Sequence, residues 1–138
     1  MSVAAVPPPA GLRVSWTFTP EPLSVPRARH ALRAQLADWD LRHAADSAEL
    51  LVSELVTNAI AHARGLVHLS VSAAAGLLRC EVEDACARLP CRRRAGGDDE
   101  GLRGLHLVVA LSSGWGSTRT GRGKAVWFEL PATCAVDA

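Results

Sequence analysis

At 138 residues, with 49% hydrophobic side chains and a formal net charge of +1, the chain suits one domain with its own core and is too apolar for wholesale disorder. A charge so near neutral gives no electrostatic case for nucleic acid or an anionic membrane, and no apolar run approaches the roughly 20 residues of a bilayer span. The N-terminus carries no charge before Arg13 and holds Pro7-Pro8-Pro9, unlike a secretory leader, so a cytoplasmic location is expected, with Cys80, Cys86, Cys91 and Cys134 as free thiols and no Cys-x-x-Cys spacing to suggest zinc.

Residues 1–11 are small and Pro-rich and are expected to be a mobile N-terminal segment. Leu12, Val14, Trp16 and Phe18 alternate with Arg13, Ser15 and Thr17, the pattern of a strand with one buried face. Ser24 is placed to cap a helix with Pro26 in its first turn. Val25, Leu32, Leu36 and Trp39 give that helix an apolar stripe, while Arg27, Arg29 and Arg33 fall off it and read as a solvated face.

Asp40 is a plausible cap for a second helix, running to about Arg64 and stopping at Gly65. Ala48, Leu51, Val52, Leu55, Val56, Ala59, Ile60 and Ala63 share one face of it. Glu54, Asn58 and His62 follow at four-residue steps, which stack side chains along one side of a helix. Glu54 lies outside the apolar face; Asn58 and His62 overlap its border. Polar groups there need partners, whether in the core or on a ligand.

Val67, Leu69 and Val71 alternate with His68 and Ser70, then Leu78, Cys80 and Val82 with Arg79, Glu81 and Glu83, a hairpin turning within Ala73 to Gly76. His68 is then a solvent-side residue. Asp84 follows Val82 by two, so it points with the apolar set. A carboxylate aimed at the core side must be paired or bind something. Residues 85–101 have no period and read as a lid or as a solvated loop kept soluble by its opposite charges. Gly101-Leu-Arg-Gly104 leads into a short helix near Leu105 to Leu111; glycines there would let helix N–H groups approach phosphate. Trp115 to Thr120 and Lys124 to Leu130 make two last strands around the Thr120 to Gly123 turn, with Val126, Phe128 and Leu130 alternating against Trp127 and Glu129. Residues 132–138 form a tail. Strands joined largely by hairpins, with helices grouped, predict a two-layer α+β sandwich: a mostly antiparallel sheet covered on one face by about three helices.

Three stretches in order, Glu54-Leu-Val-Thr-Asn-Ala-Ile-Ala-His62, Val82-Glu-Asp84 with Pro90, and Arg103-Gly-Leu-His-Leu-Val108, closed by Gly123-Lys-Ala-Val-Trp-Phe-Glu-Leu130, together resemble the histidine-kinase-like (GHKL) ATPase superfamily, in its small single-domain branch of anti-sigma-factor serine/threonine kinases. The resemblance covers about residues 12–131 and implies a Bergerat-type fold that binds ATP between helices and a lid, here residues 85–101. It implies that Asn58 holds Mg²⁺, that Glu54 is the general base, that His62, Arg103, Gly104 and Gly101 lie at the phosphates, and that Asp84 accepts a hydrogen bond from the adenine amino group. The partners it implies are a sigma factor, an anti-sigma-factor antagonist protein and a second copy in a homodimer.

The sequence departs from the family pattern in places. Cys86 and Arg88 stand where glycines often follow the aspartate, and Leu102 replaces a glycine before the third helix. Ala125 stands where the last motif commonly has threonine. The expected function is an ATP- and Mg²⁺-dependent kinase that phosphorylates the antagonist and, when free, sequesters the sigma factor. The alternative is a non-catalytic nucleotide- or partner-binding module of the same fold.

Overall fold

The computed structural model describes residues 11–62, 65–85 and 110–132. Each alternating stretch within them is a strand, and both helical stripes are helices. In chain order these are β1 (Leu12–Phe18), α1 (Ser24–Asp38), a 3-10 turn (Arg42–Ala44), α2 (Ala45–His62), β2 (Val67–Ala74), β3 (Leu77–Asp84), β4 (Gly114–Arg119) and β5 (Lys124–Pro131). The five strands form one open sheet in the order β1-β2-β3-β5-β4. Every pairing among the described residues is antiparallel, as the expected mostly antiparallel sheet requires.

The register follows from turn chemistry and from which side chains are apolar. Ala75 (φ 52°) and Gly76 (φ 79°) are both left-handed, the two-residue turn whose twist suits a hairpin. It sets Leu69 opposite Val82 and Val71 opposite Cys80. On the far side of β3, Val82 faces Val126, Cys80 faces Phe128 and Leu78 faces Leu130. All of these except the partly buried Val126 are buried and point to the same side.

The helices cover that side. α1 buries Ala28, Leu32 and Leu36, and α2 buries Ala45, Ala48, Leu51, Val52, Leu55, Val56 and Ala59. Each Leu or Val so buried contributes about 1.5–3 kcal/mol. That is several times what helix propensity alone supplies per residue, so packing fixes the two helices. The other face of the sheet is polar. Across it Ser15 meets Ser70 (3.1 Å), Thr17 meets His68 (3.0 Å), and Arg79 bonds Glu129 (3.3 Å). The Arg79 guanidinium also lies 4.1 Å over the Trp127 ring.

Two expectations about the helices change, and a third is not reached by the described residues. Ser24 is the first residue of α1 rather than its cap; Leu23 holds the cap position with no side-chain bond, and the Ser24 hydroxyl donates to the Thr19 carbonyl at 2.8 Å. Asp40 caps nothing: its φ is 63°, and it reverses the chain ahead of the 3-10 turn, so α2 starts at Ala45. The third helix, at about 105–111, lies outside the described residues apart from Ala110 and Leu111, which are helical.

Arg33 is more than a solvated charge. It bonds Glu49 (2.8 and 3.1 Å) and Asp46 (3.0 Å), tying α1 to the first turns of α2. The bond to Arg33 holds the Glu49 carboxyl below its usual pKa, against the opposing effect of burial. A depressed carboxylate stabilises the fold above its unfolded-state pKa and loses that contribution as pH falls through the folded value. In Arg33→Met the Glu49 carboxyl is expected to titrate higher, by NMR, and the acid limb of the stability curve to flatten. An unmoved Glu49 titration would show the contact to be idle.

Candidate functional site

The C-terminal ends of α2 and β3 meet at one end of the sheet. α2 packs across β3, and the chain leaving α2 passes Gly65, where an added Cβ would lie 3.7 Å from that of Ala85. Ala85 directly follows the last residue of β3, Asp84. The same end carries the start of β2, with His68 opposite Glu83, and the start of β5, with Lys124 opposite Asp84.

Asp84 is 3% exposed and is the only buried charged side chain among the described residues. Alternation places it on the helix side with Leu78, Cys80 and Val82, as its parity predicts. Lys124 Nζ donates to its Oδ2 at 2.8 Å, and the lysine side chain is 23% exposed. On the opposite face of the same two strands, Arg122 reaches Glu83 at 3.5 Å. The Thr120 side chain accepts from the backbone N–H groups of Arg122 (3.3 Å) and Gly123 (3.0 Å), and its own N–H donates to the Gly123 carbonyl (2.9 Å), fixing the turn that delivers Lys124.

Gly123 makes that delivery possible. It is buried, and an added Cβ would collide with the Asp84 carbonyl oxygen and lie 2.8 and 2.9 Å from the carbonyl carbon and Cα of Ala85. The turn therefore lies directly on the backbone that holds Asp84.

Glu54, Asn58 and His62 are all on α2 and all half-buried. They border the buried face formed by Leu51, Leu55 and Ala59 and run along the C-terminal half of α2. Gly101, Arg103 and Gly104 lie outside the described residues, as do Leu102, Cys86, Arg88 and the lid interval apart from Ala85. Cys80 is free and fully buried; burial raises its thiol well above the usual range, so it packs as an apolar residue and is no nucleophile.

The residue that sequence reasoning missed is Lys124. Ala125, which stands where the family commonly has threonine, lies across from Glu83, on the face turned away from Asp84. The residue facing Asp84 is Lys124. The signal was present: Val126, Phe128 and Leu130 alternate on the core side, and carrying that parity back two residues selects Lys124 and rejects Ala125.

The donor set fits the groups that the resemblance implies. A carboxylate is an acceptor only, so a buried Asp84 suits an amino donor such as that of adenine. Asn58 offers a hard carboxamide oxygen, and no group of three or more His, Cys, Asp or Glu side chains that could hold a metal occurs among the described residues. A protein site supplying one such oxygen matches Mg²⁺, which commonly takes its remaining ligands from phosphate and water.

The chain matches the pattern of the histidine kinase-like ATPase domain over residues 18–130. It is also similar to a solved structure, the histidine kinase domain from Erythrobacter litoralis EL346 blue-light activated histidine kinase, with 32% identity and a TM-score of 0.50 over 64% of this chain. The match spans 44% of that protein's own length. No curated protein matches the chain. Among the described residues no helix is long and apolar enough to cross a membrane.

Proposed function

The chain belongs to the histidine kinase-like ATPase domain family, and from that membership we propose that it is an ATP-dependent regulatory kinase acting on a serine or threonine of a small anti-sigma-factor antagonist, and that it sequesters a sigma factor when the antagonist leaves it free. The observation that supports the ATP-binding part is the buried Asp84 carboxylate at the end of β3, the strand across which α2, carrying Asn58 and His62, packs.

In this reading Asp84 accepts a hydrogen bond from the adenine amino group. Asn58 offers its side-chain oxygen to Mg²⁺, and His62, one turn on, approaches the phosphates. Glu54, one turn before Asn58, accepts the proton of the substrate hydroxyl as that oxygen attacks the γ-phosphorus. Bound Mg·ATP supplies the phosphoryl group and spreads the charge of its transfer. The half-burial of Glu54 supports this role, since the residue is neither sealed in the core nor fully solvated.

Binding and chemistry separate in Glu54→Gln. ATP affinity, by calorimetry, is expected to stay within about threefold of the parent, while phosphate transfer from radiolabelled ATP to candidate antagonists falls roughly 10²–10⁴-fold, the usual worth of a general base. Tight ATP binding by the parent with no transfer to any candidate would instead favour a non-catalytic nucleotide-binding module.

A further inference from the structure

Asp84 does not stand alone at the end of β3. The Lys124 ammonium lies 2.8 Å from its Oδ2, delivered from the directly opposed position on β5 by a turn pressed against the Asp84 and Ala85 backbone. Both side chains are largely withdrawn from water, Asp84 at 3% and Lys124 at 23% exposure. Lys124 is also the only lysine in the chain. An ammonium has three donors and no acceptor; a carboxylate has about four acceptor sites and no donor. One donor is spent on Asp84, so the two groups together present a hydrogen-bond acceptor beside a hydrogen-bond donor. Adenine carries the complement on adjacent atoms of its edge: an amino donor on C6 and an acceptor at ring N1.

Resting on the ATP-binding reading above, we propose that Lys124 is a second base-reading residue, donating to adenine N1 while Asp84 accepts from the amino group. The other course, in which the base displaces Lys124, is disfavoured by the physics of the pair. Breaking a largely buried ion pair leaves an uncompensated charge, whereas a carboxylate, with about four acceptor sites, can serve more than one donor at once.

The test is titration calorimetry with Mg²⁺ and either ATP or 1-deaza-ATP, which lacks the N1 acceptor. The parent protein is expected to bind 1-deaza-ATP roughly 10- to 100-fold more weakly than ATP, the range for a hydrogen bond to a charged group. Lys124→Met is expected to bind ATP weakly by a similar factor and to treat the two nucleotides alike. A second measurement needs no variant: acetylation of the lone lysine, followed by mass spectrometry, is expected to slow when ATP is bound. Equal affinity of the parent for both nucleotides, undiminished discrimination in Lys124→Met, or faster acetylation with ATP would overturn the assignment while leaving ATP binding intact. A parent protein that binds neither nucleotide would overturn this assignment and the ATP-binding reading together.

Discussion

Asp84→Asn is expected to lower ATP affinity by about 100-fold or more while leaving the protein folded. The change is isosteric, so packing at the end of β3 is kept, and what is lost is the charge. A hydrogen bond to a charged group carries about 1.5–3 kcal/mol, and at roughly 1.4 kcal/mol per factor of ten the upper part of that range reaches the expected loss. The fold is affected less. Lys124 loses its ionic partner, but its side chain retains 23% exposure and reaches water with modest adjustment. The expected destabilisation is about 1–3 kcal/mol, at or below the low end for breaking a buried pair. Calorimetric titration alongside thermal unfolding separates the two effects. Parent-like ATP affinity in the variant would make Asp84 a structural counter-ion to Lys124 and nothing more.

Gly123→Val is expected to destabilise the protein by about 2–4 kcal/mol, together with weaker ATP binding. The added side chain meets backbone, not the yielding end of a side chain. Its Cβ would overlap the Asp84 carbonyl oxygen and sit 2.8 and 2.9 Å from Ala85 atoms. Overpacking of this kind costs typically 1–3 kcal/mol and sometimes more, and here the strand end that must shift is the one carrying Asp84. Gly121→Val is the matched control in the same turn, since a Cβ there meets nothing within 4 Å. Chemical denaturation of both variants, with ATP titration of whatever remains folded, provides the comparison. Equal stabilities for the two would show that the turn has room to move away from β3.

β1, β2, β3 and β5 were legible because each carries alternation over at least five residues, and a sheet with one polar face preserves that alternation; β4, Gly-Trp-Gly-Ser-Thr-Arg, carries no such pattern and was placed by its position before the Thr120 to Gly123 turn. The long helix was legible from its apolar face, and the inward aim of Asp84 from parity alone. What the sequence conceals has physical causes. Asp40 has a good N-cap side chain, but a left-handed backbone leaves it no helix N–H groups to accept from, and propensity does not report φ. Arg33 lies off the apolar stripe like its neighbours. Its salt bridges depend on how α1 lies against α2, which is a tertiary property. Lys124 is the instructive case, because cross-strand register couples residues 40 positions apart and no local pattern states which strand β3 pairs with. The parity of β5 was readable, and it already excluded Ala125 from the site. The opposition of Lys124 to Asp84 needed the sheet.

The two-residue turn at Ala75 and Gly76 bears on the order in which the domain assembles. It closes β2 against β3 within a few residues of chain, so that hairpin can form on the microsecond scale typical of local pairing. β3 meets β5 only after the intervening segment of chain is drawn together, with the higher closure entropy and slower approach that distant pairing carries. The Asp84 carboxylate is thus fixed on its strand early and meets its lysine late. The ion pair at the candidate site is a marker for the docking of β5, and a chain arrested before that step would hold the carboxylate in place without its cation.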